Sequence, residues 1–219
     1  MASEPARKRV AVLISGRGSN MVALIEAAKD PAYPAAIALV VSNVPDAEGL
    51  KRASAAGIAT AVVDHRAFGR DREAFERALH AKLVEHRIEI VCLAGFMRLL
   101  TPFLVREWEG RMLNIHPALL PEFKGLDTHA RALAAGAKRH GATVHFVVPE
   151  MDSGPILVQG SVPVEPDDTE AALASRVLAV EHRIYPLALK ALAEGRVRLS
   201  AGQCLIDGVP AEQFWQRQS

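Results

Sequence analysis

The sequence predicts an α/β fold built on a mostly parallel central sheet with helices on both faces. Two observations carry this. Short β-branched runs alternate with amphipathic helical patterns through the first half of the chain. Three of the early runs, Val10 to Ile14, Ile37 to Val41 and Ile90 to Leu93, are also wholly apolar rather than alternating, as expected when both faces of a sheet are covered.

The elements follow in order. Val10 to Ile14 reads as a buried strand, as do Ile37 to Val41, Ala59 to Val63 and Ile90 to Leu93. Met21, Leu24, Ile25 and Ala28 share one helical face, and so do Phe75, Ala78, Leu79 and Leu83. Arg111 to Ile115, Thr143 to Val148 and Ile156 to Val164 read as further strands. A Pro-rich loop spans Pro117 to Gly125, and a helix covers about Thr128 to Ala135. A long helix follows Asp167, with Asp167 and Glu170 at capping-box spacing and an apolar stripe of Leu173, Val177, Val180 and Ile184. The expected organisation is one domain over 1–219 in two halves, about 10–110 and 111–200, with a frayed tail after about Pro210.

Composition narrows the class. Of 219 residues, 50% are hydrophobic and 23% charged, which is globular. A formal net charge of +1 gives no electrostatic case for nucleic acid or a membrane surface, so small-molecule substrates are the expected partners. Cys92 and Cys204 have no CxxC or metal spacing, and Cys92 lies in an apolar run. No apolar run reaches the length of a signal peptide core or a membrane span, so a cytoplasmic location is expected.

Three segments could carry chemistry. Gly16-Arg17-Gly18-Ser19-Asn20 lies between the first strand and the first helix, where unpaired N–H groups and the helix dipole favour an anion. The dinucleotide fingerprint fails at Met21, and the P-loop fails at Ser19-Asn20, which favours a monophosphate. The alternative is a tight turn with Ser19 as helix N-cap. In Leu113-Asn114-Ile115-His116-Pro117, Asn114 and His116 share one strand face, an arrangement suited to polarising a carbonyl and moving a proton. A satisfied core histidine beside a turn asparagine is the plainer reading of those two residues. In Met151-Asp152-Ser153-Gly154-Pro155, Asp152 is either a turn residue or a carboxylate that faces His116 and favours its charged form.

The other histidines look weaker. His80 and His86 read as exposed helix positions, while His65, His129 and His140 fall in or near loops. His182 lies on the last long helix, and His145 reads as hydrogen-bonded core. No metal motif is present.

Six segments together resemble the folate-dependent formyltransferases: Val12–Asn20, Leu93–Leu100, Leu113–Pro121, Thr143–Val147, Met151–Ile156 and Glu181–Pro186. Their order holds from about Val10 to Arg198. Among these enzymes the resemblance points to the glycinamide ribotide branch and implies a Rossmann-like formyltransferase fold. It implies that Asn114, His116 and Asp152 are catalytic. Gly18, Ser19 and Asn20 would hold a ribotide phosphate, and Glu181 the amine end. Arg72, Met97, Arg98, Leu99, Leu100, Asn114, Val148, Pro149, Glu150, Met151 and Asp152 would bind 10-formyltetrahydrofolate, with no metal. It also implies a cis Leu120-Pro121 peptide and either a monomer or a homodimer. Leu178 departs from the pattern, being apolar where some relatives carry a polar residue. A formyltetrahydrofolate hydrolase, which usually has an extra N-terminal domain, and a non-catalytic nucleotide-binding module are the alternatives.

Overall fold

The computed structural model describes residues 7–217. Among them, seven strands form one sheet: β1 (Lys8–Ile14), β2 (Ala35–Ser42), β3 (Ala59–Val62), β4 (Ile90–Leu93), β5 (Met112–His116), β6 (Arg139–Phe146) and β7 (Ile156–Pro163). Their order is β3-β2-β1-β4-β5-β6-β7. The first five are mutually parallel, and β6 and β7 add antiparallel. The strand order reverses direction between β1 and β4, the position where open α/β sheets form a crevice at the carboxyl ends of their strands.

Side-chain alternation along β1 divides the core into two layers. Val10, Val12 and Ile14 face the helices α1 (Ser19–Ala27), α2 (Glu48–Ala55) and α6 (Glu170–Ala193). Ala11 and Leu13 face α3 (Arg72–Glu85) and α4 (Pro102–Glu107). The remaining helix of this region, α5 (Thr128–Ala134), follows the Pro-rich loop. The 24-residue α6 spans several elements: the Tyr185 hydroxyl lies 2.9 Å from the Leu93 carbonyl and 3.2 Å from that of Leu113, tying the helix to β4 and β5.

Several expectations are corrected. Ser19 is the first residue of α1, not its cap; Gly18 caps the helix in the left-handed region with φ 69, which glycine adopts without a Cβ penalty. Thr169 caps α6 by accepting from the Ala172 N–H, while the neighbouring Asp168 instead pairs with Arg176, so the proposed Asp167 cap does not form. Strand β3 is an exposed margin rather than a buried strand. Strand β6 starts four residues earlier than expected, which puts His140 inside it and fully buried; His129 lies in α5. His80 is half-buried, its ring edge-on to Phe103 and Trp108. His86 is also half-buried, with Nδ1 2.9 Å from the Lys82 carbonyl.

The expected frayed tail after Pro210 is helical through Gln216, residues 218–219 lying outside the described residues, and the segment before it forms strands. Strands β8 (Val197–Ser200), β9 (Gln203–Ile206) and β10 (Val209–Pro210) form a second, antiparallel sheet, and α7 (Ala211–Gln216) follows. The Trp215 indole N–H donates to the Leu157 carbonyl at 2.8 Å, which brings α7 against β7.

Candidate active site

The sequence-predicted residues gather at the carboxyl end of β5. Antiparallel register sets Asn114 opposite His145 and His116 opposite Thr143. The Asn114 amide Nδ2 lies 3.2 Å from His145 Nε2. His145 Nδ1 lies 2.9 Å from the Phe146 carbonyl, so Nδ1 carries the proton and Nε2 accepts from the Asn114 amide. Burial lowers the His145 pKa, which favours that neutral form. Asn114 is thereby held with one amide N–H bound and the other free for a further acceptor.

Asp152 stands between two imidazoles. Its Oδ2 is 3.5 Å from His116 Nδ1, and its Oδ1 is 3.8 Å from His145 Nε2. The Gly125 N–H donates to Oδ2 at 2.8 Å. Asp152 has φ 49, a left-handed conformation that Asp and Asn tolerate better than most residues. His116 is buried, and its Nε2 lies 3.0 Å from the Phe123 carbonyl. Both nitrogens of His116 therefore face protein groups, and donation from Nε2 to another oxygen requires the Phe123 carbonyl to yield.

The 117–127 loop that supplies Phe123 and Gly125 is anchored at its start. Thr143 Oγ1 donates to the Ala118 carbonyl at 2.7 Å and accepts from the Leu120 N–H at 3.1 Å. The Leu120-Pro121 peptide is cis, as the resemblance implied. The Thr128 hydroxyl closes the loop on the Pro117 carbonyl at 2.6 Å.

The segment expected to bind an anion, Gly16 to Asn20, follows β1 at the strand reversal. Gly18 is buried and Ser19 half-buried at the start of α1. Asn20 Nδ2 donates to Glu181 Oε2 at 2.6 Å, joining α1 to α6. Glu181 is buried, and that burial raises its carboxyl above the ordinary range. Gly49, in the first turn of α2, donates its N–H to the Gly16 carbonyl at 3.0 Å. A Cβ at Gly49 would stand 2.5 Å from Ile14 Cδ1 and 3.1 Å from Gly16 O, so a larger residue would have to push the Ile14 side chain aside and crowd the Gly16 carbonyl.

Apart from Asn114 on β5 and Arg72 at the start of α3, the expected folate-binding residues fall on two loops. Met97 and Leu99 are exposed, Arg98 and Leu100 half-buried. The Arg72 guanidinium at the start of α3 donates to the Leu99 carbonyl, and Arg98 approaches the Phe75 ring. On the second loop Pro149, Glu150 and Met151 are exposed, while Val148 and Asp152 are half-buried. Apolar side chains at 68% (Met97), 61% (Leu99), 73% (Leu126) and 50% (Met151) exposure are suited to a flat aromatic ligand. Among the described residues, no group of three or more His, Cys, Asp or Glu side chains could hold a metal ion.

Residues 8–189 match the formyl transferase family. The chain belongs to that family. This formyl transferase family member is 45% identical over 199 residues to the phosphoribosylglycinamide formyltransferase of Escherichia coli K12, covering 91% of this chain and 93% of that one. It is 48% identical over 196 residues to the bovine trifunctional purine biosynthetic protein adenosine-3; that match takes in 90% of this chain but only 19% of the longer protein. The fold is similar to the crystal structure of glycinamide ribonucleotide transformylase 1 from Symbiobacterium toebii. Its TM-score is 0.89 at 41% identity, covering 94% of this chain and 99% of that one.

His145 is hydrogen-bonded core, as expected, but its pairing with Asn114 and its approach to Asp152 were not anticipated. A signal was available: Thr143 and His145 are polar at alternate positions of an otherwise apolar strand, so they share a face. Their pairing with His116 and Asn114 depended on the β5–β6 register, which the sequence does not display.

Proposed function

We propose that this formyl transferase moves the formyl group of 10-formyltetrahydrofolate to the amine of 5-phosphoribosylglycinamide, a step of purine biosynthesis. One observation carries the reading: Asn114, His145, Asp152 and His116 converge at one strand end. The matching names of relatives of similar length support it.

Each group has a chemical task. The ribotide phosphate binds the Gly18-Ser19-Asn20 turn, where N–H groups and the helix dipole meet it. Glu181 receives the amine end. The pterin lies against Met97–Leu100 and the 148–152 loop. The amine nitrogen attacks the formyl carbon, and the carbonyl oxygen becomes an alkoxide. The free Asn114 N–H donates to that oxygen, a type of contact typically worth about 3 kcal/mol. Protonated His116 adds positive charge beside it, and Asp152 stabilises the imidazolium. The carbon–nitrogen bond to the folate then breaks, and the leaving nitrogen gains the proton lost by the amine.

The test is a formyl-transfer assay that follows loss of 10-formyltetrahydrofolate and gain of formylated ribotide together. Equal rates of both support the proposal. Folate deformylation that does not depend on the ribotide would favour a hydrolase, and tight binding of both molecules without turnover would favour a binding module.

A further inference from the structure

Ser15 directly follows β1, immediately before the anion loop, and it is hydrogen-bonded to the segments that follow two other strands. Its N–H donates to the Gly95 carbonyl at 3.1 Å. Its hydroxyl donates to Asn43 Oδ1 at 2.6 Å and accepts from the Met97 N–H at 2.8 Å. Asn43 follows β2 and is buried, with its Nδ2 3.1 Å from His65 Nδ1. The same His65 Nδ1 lies 2.9 Å from the Asn43 carbonyl. Because the Met97 N–H can only donate, the serine oxygen must accept there, which leaves its proton for Asn43 Oδ1. The next residue, Gly16, is clamped by the Gly49 N–H. One residue thus joins the backbone of the anion loop to the backbone of the exposed Met97–Leu100 wall.

We propose that Ser15, oriented by Asn43, is a positioning residue that couples the two substrate subsites, so that ribotide bound at Gly18–Asn20 tightens folate binding at Met97–Leu100. The proposal rests on the substrate assignment above. The physical basis is shared ordering. Fixing the anion loop fixes Ser15, and Ser15 fixes the Met97 amide, so the second ligand has less backbone left to order. The coupling must be reciprocal, with folate tightening ribotide by the same factor.

Titration calorimetry of tetrahydrofolate, with and without saturating 5-phosphoribosylglycinamide, reads the coupling directly. In the unaltered protein the ribotide should tighten tetrahydrofolate about 5- to 20-fold, within the usual range for coupled sites. Ser15→Ala should reduce that factor below about 2-fold while ribotide affinity measured alone changes by less than about 3-fold. Asn43→Ala keeps the serine and removes only its orienting acceptor; it should lower the factor part-way, so the prediction stands even if the Ser15 variant folds poorly. The double variant should be no worse than Ser15→Ala, because both act on one path. Formyl transfer without any coupling in the unaltered protein, or full coupling in folded Ser15→Ala, would overturn this proposal alone. Absence of formyl transfer and of ribotide binding would overturn the substrate assignment with it.

Discussion

Replacing Asp152 by Asn isolates what its charge contributes. The substitution keeps the size of the side chain, and Asn tolerates the left-handed backbone found at this position. The amide oxygen can still accept from the Gly125 N–H. What is lost is a negative charge 3.5 Å from His116 Nδ1, between side chains that are 7% and 11% exposed. At an effective dielectric of about 20, that separation corresponds to about 5 kcal/mol. The retained amide dipole and water at the open mouth of the site should cut this roughly in half, to about 2.5 kcal/mol. At one decade per 1.4 kcal/mol, kcat should fall on the order of 100-fold. Steady-state formyl transfer measures kcat, and calorimetric titration with tetrahydrofolate checks that folate affinity stays within about 3-fold. A kcat within 3-fold of the unaltered enzyme, with the fold intact, would refute the charge argument.

Three other perturbations test separate features. Gly49→Ala forces a methyl against Ile14 Cδ1 and Gly16 O, and should cost roughly 1–3 kcal/mol of stability and raise the ribotide KM more than the folate KM. Ile14→Val in the same chain removes the crowding Cδ1 and should restore part of both, read by thermal unfolding and by KM. Glu181→Gln should stabilise the ligand-free protein at pH 7 while weakening ribotide binding. Burial raises the folded-state pKa of Glu181, so the folded state holds its proton longer and this residue's contribution falls as pH rises from the ordinary carboxylate range through the raised value. A lower melting temperature in Glu181→Gln would contradict that sign. The buried His140 has its pKa pushed down to about 4 by desolvation, with His129 adding to the effect. The unfolded chain therefore binds the extra proton first, and stability should be lost as pH falls from about 6.5 toward 4. His140→Leu should flatten that part of the stability curve, measured by denaturant titration across the range.

What the sequence displayed was decided by how local the signal was. Strand β4 is a continuous apolar run, β1 is one from Val10 onward, and β5 is apolar except at Asn114 and His116; each lies within two residues of its expected place. Asn114 and His116 share a face through strand geometry alone, so their pairing needed nothing else. Asp152 joins them only because the β6–β7 connection turns back across the sheet. The caps were harder to read, since Asp167, Asp168 and Thr169 are all competent; Asp168 is taken up by Arg176, and the helix starting at Glu170 puts Thr169 at the cap. Nothing in the sequence marks the Ser15 contacts, because its partners Met97 and Asn43 lie 82 and 28 positions away. The second sheet was illegible for a different reason. Its strands are two to four residues long and mostly half-exposed, too short for a period to emerge.

That second sheet and α7 bear on how molecules of this enzyme behave toward one another. Strand β7 is eight residues long and ends the order of the main sheet, so its outer backbone is a template onto which another chain could add. The Trp215 indole occupies the Leu157 carbonyl on that strand. The opposite margin, β3, has only four residues and offers little to polymerise on. The terminal appendage thus covers part of that edge. Its removal should show first as concentration-dependent self-association, ahead of any change at the strand ends where formyl transfer is proposed.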